Sequence, residues 1–173
     1  MRLELSRCVV RSWRLDDAPA LTVQGNNWNV WINLRDAFPH PYTLADAHVF
    51  LAHAIERRPE TFFAIEVGGG AAGGIGFVLQ SDVERMSAEI GYWLGESYWG
   101  RGIATEALVA LTRHAVDTHG LTRIYALPFA WNAASCRVLE KAGYVLEARL
   151  RRSAIKDGRI VDQLQYAFVV PEN

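Results

Sequence analysis

The stretch from Ala88 to Leu108, AEIGYWLGESYWGRGIATEAL, constrains the fold more than any other. Ala88 to Leu94 is β-branched and aromatic enough for a strand. Gly91, Gly95, Ser97, Gly100 and Gly102 then interrupt the chain. From Ile103, apolar residues recur at Ala104, Ala107, Leu108, Leu111 and Ala115, one face of a helix of period 3.6. A loop whose amides converge on a helix N-terminus suits an anion, because those N–H groups lack internal partners. The question the sequence poses is which anion.

Bulk properties narrow the answer. A chain of 173 residues suits a single domain over 1–173, and it buries roughly 70% of its unfolded surface, so it needs no disulfide or metal staple. The formal charge of −1 gives no electrostatic support for nucleic-acid binding. No apolar run approaches the roughly 20 residues that span a bilayer, and Met1-Arg-Leu-Glu-Leu5 lacks a signal-peptide core. Cys8 and Cys136 have no metal-ligand spacing, and the histidines form no HxxxH or HExxH pair. The expectation is a cytoplasmic protein with no metal site and no membrane partner.

In chain order, Leu5 to Trp13 reads as a strand, followed by a helix capped by Asp16 and stopped by Gly25-Asn26-Asn27. Residues 28–42 mix Trp28, Trp31, Leu34 and Phe38 with Asn29, Asn33, Arg35 and Asp36. They read as a helical turn packing on the core, as a substrate-contacting flap, or as both. Thr43-Leu-Ala-Asp46 resembles a capping box for a helix to about Glu56. Thr61–Val67 and Gly73–Leu79 are strands joined by Gly68-Gly-Gly70. The glycines from 68 to 76 precede no helix, so they read as turn and bulge rather than as a phosphate cradle. After the central helix come a strand at Arg123–Leu127, a helix from Asn132 ending at Gly143, and strands at Tyr144–Leu150 and Ile160–Val170. Lys156-Asp157-Gly158 joins the last two as a hairpin. The pattern is α+β, with seven strands in a mixed, mostly antiparallel sheet and about four flanking helices.

Two phosphate signatures fail at the central loop. Gly95 to Gly100 gives GxxxxG, but Arg101 and Gly102 stand where a nucleotide-hydrolysing loop needs Lys and Ser or Thr. Gly100-Arg-Gly102-Ile-Ala-Thr105 lacks the third glycine of the dinucleotide fingerprint. A third signature, Q/R-x-x-G-x-G/A, is the pyrophosphate loop of the GCN5-related N-acetyltransferases (GNAT). Trp99-Gly-Arg-Gly102-Ile-Ala104 matches it at the glycine and the final small residue, with Trp at the first position. Asn132-Ala-Ala-Ser135 followed by Val138-Leu-Glu-Lys-Ala-Gly-Tyr144 is similar to the second family signature, NxxSxxxxEKxGF. Asn33-Leu-Arg-Asp36 and Phe38-Pro-His-Pro-Tyr42 resemble the segment between the first two helices. The chain thus resembles the GNAT superfamily, and within it the RimJ/RimL-like branch of ribosomal-protein alanine acetyltransferases.

The resemblance implies a GNAT fold in which the strand ending Tyr92-Trp93-Leu94 splays from Ile124-Tyr125-Ala126 and holds acetyl-CoA as the acyl donor. Gly100, Arg101, Gly102, Ile103, Ala104 and Thr105 would surround the pyrophosphate, while Tyr92, Trp93, Leu94 and Asn132 would hold the pantetheine arm. Trp31, Asn33, Arg35 and Tyr42 would meet the amine acceptor. Direct attack by an amine on the thioester asks mainly for positioning, a polarised carbonyl and a proton acceptor. Glu89 is the candidate base, acting through water, or else a strand carboxylate paired with Arg123 or Arg149; Asp162 is a lesser candidate. Ser135 is the candidate acid for the departing thiolate, or else a first-turn helix cap. Cys136 reads as a buried small hydrophobe rather than a nucleophile.

The expected acceptor is a peptide or protein N-terminal amine; the alternatives are a small amine, such as a polyamine, amino-acid derivative or antibiotic, and a non-catalytic acyl-CoA-binding module. The run Arg149-Leu-Arg-Arg-Ser-Ala-Ile-Lys156, without an acid, is either a solvated face or a bias toward acidic acceptors. A homodimer is a family expectation.

Overall fold

The computed structural model describes residues 1–171. It contains one sheet of eight strands in the order β1-β2-β3-β4-β5-β6-β8-β7. The strands are β1 (Arg2–Glu4), β2 (Val9–Ser12), β3 (Phe62–Val67), β4 (Gly70–Leu79), β5 (Ser87–Leu94), β6 (Arg123–Ala126), β7 (Val145–Lys156) and β8 (Arg159–Val169). The helices are α1 (Ala18–Gly25), the single turn α2 (Trp28–Trp31), α3 (Leu44–Glu56), α4 (Ile103–His119) and α5 (Ala133–Lys141). The eighth strand arises at the N-terminus. The expected strand over Leu5–Trp13 is shorter, and a turn closed by Leu5 N–H donating to Cys8 C=O at 3.0 Å folds Arg2–Glu4 back as an edge strand.

The first helix starts differently from its sequence expectation. A 3-10 turn over Leu15–Asp17 precedes α1, and Asp17 rather than Asp16 sits at its N-cap. The Asp17 carboxylate takes both arms of the buried Arg11 guanidinium at 2.7 and 2.8 Å and the Arg14 N–H at 2.9 Å. Arg11 also donates to Glu66 on β3, so this network ties β2, β3 and the start of α1 together. By contrast, the Thr43–Asp46 capping box forms as expected, each side chain accepting from the other's backbone N–H.

Alternation along β5 divides the molecule into two faces. Ala88, Ile90 and Leu94 enter a core with Phe63, Ile75, Phe77, Leu108, Leu111 and Leu139, beneath α4 and α5. Trp93 turns the other way and packs with Trp13, Leu21, Tyr42, Leu51 and Phe38 beneath α1 and α3. The glycines of β4 serve this second face. A Cβ on Gly76 would lie 2.4 Å from the Phe62 ring, and one on Gly74 would lie 2.9 Å from the Trp93 indole and 3.1 Å from that of Trp13. Bare backbone there lets three aromatic rings lie against the sheet.

One strand pair is parallel and incomplete. β5 pairs with β4 from Ala88 to Leu94, but with β6 only at Ser87, Ala88 and Glu89. Beyond Glu89 the two strands part.

Candidate functional site

The parting of β5 from β6 opens a cleft of about 1230 Å³. Gly95 N–H donates to Ala72 C=O at 2.8 Å, which makes Gly73–Leu94 a non-hydrogen-bonded pair of the antiparallel ladder. By alternation the peptide groups of Trp93 face β4, while those of Tyr92 and Leu94 face the open edge. The Leu94 carbonyl is taken by the Trp99 indole N–H at 2.7 Å, which leaves the Leu94 N–H as the donor turned into the cleft. Between Trp93 and Leu94, only Leu94 presents its peptide N–H to the cleft.

At the end of the gap the glycine-rich loop enters α4. Gly100 and Gly102 have φ of +74° and +75°, and Gly102 is the N-cap. Open space surrounds the Cβ position of Gly100, so the left-handed backbone itself, not crowding, calls for glycine there. The first helical bond runs from Glu106 N–H to Gly102 C=O at 3.1 Å, so the amides of Ile103, Ala104 and Thr105 are free of intrahelical partners. The Arg101 guanidinium lies 5.8 Å from the Tyr98 ring centre, at the surface. One neighbour of this loop carries no local sequence signal. Glu106 accepts from the N–H groups of Ser6 and Arg7 and from the Ser6 hydroxyl, which sets the Arg7 side chain 3.5 Å from the Cβ position of Gly102.

The opposite wall is the start of α5. Asn132 Oδ1 accepts the Ser135 N–H at 3.0 Å and caps the helix, so Ser135 is not itself the cap. The Ser135 hydroxyl instead meets the Tyr92 hydroxyl at 2.8 Å. The sequence placed Tyr92 with the donor's arm; the structure also joins it to the candidate acid. Burial raises the Tyr92 phenol well above its ordinary range, with the Ser135 contact opposing, so the pair stays protonated. Burial likewise raises the Cys136 thiol, which leaves no thiolate for nucleophilic chemistry.

Glu89 projects from the other face of β5. Its Oε1 accepts from Arg35 Nη2 at 2.5 Å, and Arg35 comes from the segment after α2. The partners expected from sequence are engaged elsewhere: Arg123 pairs with Glu147, and Arg149 pairs with Asp162 at 2.6 Å. Asp162 also accepts the Arg152 N–H at 2.8 Å, and these contacts hold its carboxyl below the usual range. That makes Asp162 a weak proton acceptor.

Residues 28–42 form a roof tied at four points. Asn27 and Asn29 donate to Glu96 at 2.8 and 3.0 Å, and Arg35 meets Glu89. The Trp131 indole donates to Asn33 Oδ1 at 3.1 Å, and Lys156 Nζ to Asp36 at 2.7 Å. Asn33 and Arg35 line the cleft, together with Glu89, Ser135, Asn132 and all the residues assigned from sequence to the donor. Trp31 and Tyr42 do not. Trp31 stacks on His40 and underlies Lys156 Nζ, 3.7 Å from its ring centre. Tyr42 is buried against Phe38, and burial pushes its phenol up to about 12. Their aromatic surface is spent on packing. Lys156 is missed as a site residue from sequence because its partners, Asp36 and Trp31, lie more than a hundred residues away.

Comparison with known proteins yields four findings. A family model described as an acetyltransferase (GNAT) domain matches residues 7–145. An uncharacterized N-acetyltransferase of Bacillus subtilis (strain 168) is 35% identical over 99 residues, covering 57% of this chain and 55% of the relative. A ribosomal-protein-serine acetyltransferase of Escherichia coli (strain K12) is 33% identical over 98 residues, covering 56% and 55%. The chain thus spans about half the length of these curated relatives. Among solved structures, RimL, a ribosomal L7/L12 α-N-protein acetyltransferase in complex with coenzyme A, superposes with a TM-score of 0.86 at 21% identity over 98% of each chain. Among the described residues, no cluster of metal-ligating side chains occurs and no helix is long and apolar enough to cross a membrane.

Proposed function

From the premise that this chain belongs to the GNAT acetyltransferase family, we propose that it acts as one N-acetyltransferase domain and moves an acetyl group from acetyl-CoA to a peptide or protein N-terminal amine. The observation that carries the reading is the unpaired edge of β5 beyond Glu89, which leads to the open amides of Ile103, Ala104 and Thr105. The pantetheine arm would add along that edge by strand-like hydrogen bonds, with Asn132 Nδ2 alongside, and the pyrophosphate would sit on the α4 N-terminus. The Escherichia coli relative, a ribosomal-protein-serine acetyltransferase, supports a protein as acceptor.

The chemistry follows from the two faces of β5. The acceptor loses one proton through water to Glu89, and its nitrogen lone pair attacks the thioester carbonyl. As the N–C bond forms, the Leu94 N–H stabilises the developing oxyanion. The C–S bond then breaks, the thiolate takes a proton from the Ser135–Tyr92 hydroxyl pair, and the extra proton on the acylated nitrogen passes through water to that pair and restores it. The products are the acetamide and coenzyme A thiol. An N-terminal amine has a pKa of roughly 8, so a water-bridged carboxylate is base enough.

Thiol release from acetyl-CoA, measured with a panel of peptides and small amines beside calorimetric binding of coenzyme A, tests this reading. Acetylation of peptide N-termini supports it. Acetylation confined to small amines moves the acceptor class, and binding without turnover would leave an acyl-CoA-binding module.

A further inference from the structure

The donor half of the cleft is explained by backbone geometry, but one charged pair in the acceptor half has no donor role. Arg35 and Glu89 face each other across the roof, with Arg35 side chain 65% exposed and that of Glu89 23%. Glu89 is the only partner of the Arg35 guanidinium among the described residues. Neighbouring basic groups are committed, Lys156 to Asp36, Arg149 to Asp162 and Arg123 to Glu147. Asp157 and Arg159 also line this half, bringing one charge of each sign. Beside the pair the floor is open: Gly91 lies exposed in the middle of β5, and nothing approaches within 4 Å of its Cβ position. Glu89, Gly91 and Trp93 share that face, so a ligand amine at Glu89 would have its adjoining groups over bare backbone.

An ion pair with so exposed an arginine is weak and opens readily. A bare ammonium entering at Glu89 would displace the guanidinium and leave it unpaired beside another cation. An acceptor bearing an anion near its amine would replace one ion pair with two, and the planar guanidinium fork suits a carboxylate. Resting on the acetyl-transfer reading above, we propose that the Arg35–Glu89 pair selects acceptors that carry an anionic group close to the reacting amine, the amine going to Glu89 and the anion to Arg35. The acidic-acceptor bias then resides in Arg35 rather than in the run 149–156, whose Arg149 and Lys156 are neutralised within the protein and whose Arg151 and Arg152 do not line the cleft.

The test uses matched acceptors with the whole protein: peptides beginning with Asp, Asn or Lys, and the α-amides of aspartate and asparagine. The wild type is expected to favour the Asp peptide over the Asn peptide about tenfold in kcat/KM, the scale of one charge-assisted hydrogen bond. Arg35→Gln brings the two within about twofold, and Arg35→Glu turns the preference toward the Lys peptide. A preference seen in peptides alone, or in the amides alone, assigns the anionic acceptor to that source. A wild type that does not distinguish Asp from Asn, or an Arg35→Gln variant that keeps the preference, overturns the proposal. If no amine is acetylated, the transfer reading fails by itself. Calorimetric titration of the same peptides into coenzyme A-saturated protein then decides recognition: Asp-selective binding sustains it, and unselective or absent binding overturns it.

Discussion

The two halves of the cleft are built by opposite means. The half proposed to hold the donor is nearly contiguous, with β5, the loop over Gly95–Gly102 and the first turn of α4 following one another in the chain. Its working groups are backbone amides, fixed by two left-handed glycines and a helix start. The half proposed to meet the acceptor is assembled from distant segments: Asn33 meets Trp131, Asp36 meets Lys156 and Arg35 meets Glu89. Its working groups are side chains held by ion pairs and aromatic contacts. Backbone sites tolerate sequence change wherever conformation is kept; side-chain sites change specificity with a single substitution.

Substitutions should separate the halves. Glu89→Gln should cost the most, with kcat falling about a hundredfold or more and KM for acetyl-CoA within about twofold, as steady-state thiol release would show. Next is Gly102→Ala, which forces a side chain into φ of +75°. That strain of about 1–2 kcal/mol should raise KM for acetyl-CoA by roughly tenfold with kcat little changed. If the two effects came out reversed, the division between the faces of β5 would be wrong.

The hydroxyl pair tests whether two residues act as a unit. Tyr92→Phe and Ser135→Ala should each lower kcat by about tenfold, and the double variant should fall no further than the worse single. Additive losses would mean that the 2.8 Å contact is not a proton relay. Lys156→Met removes the Asp36 pair and the contact with the Trp31 ring. It should raise the acceptor KM about threefold and leave that for acetyl-CoA unchanged, the size expected of one half-exposed pair. The smallest effect is expected at Cys136→Ala, with turnover within about twofold of wild type, since a buried thiol held protonated has no part in the transfer.

The same contrast explains what could be read from the sequence. Glycines before a 3.6-period pattern, the Thr43–Asp46 box and the Asn132 cap are local signals, and each forms as its spacing implies. Partnerships across the chain carry no such signal. Asp17 displaces Asp16 at the first helix because Arg11, six residues earlier, commits it to a buried pair. Glu89 takes Arg35 because Arg123 and Arg149 find nearer carboxylates on β7 and β8. Trp31 and Tyr42 share the composition of a substrate flap, but stacking on His40 and Phe38 turns them into packing. The β4 glycines looked like turn and bulge; their close approaches show that they also make room for aromatic rings on the second face.

The central claim is that β5 holds the donor along its edge and handles the acceptor's proton on its opposite face. Calorimetric titration of coenzyme A into Glu89→Gln tests this most directly. The account predicts wild-type affinity, within about twofold, in a variant whose turnover has collapsed. A loss of coenzyme A affinity matching the loss of turnover would contradict it, because Glu89 would then be holding the donor.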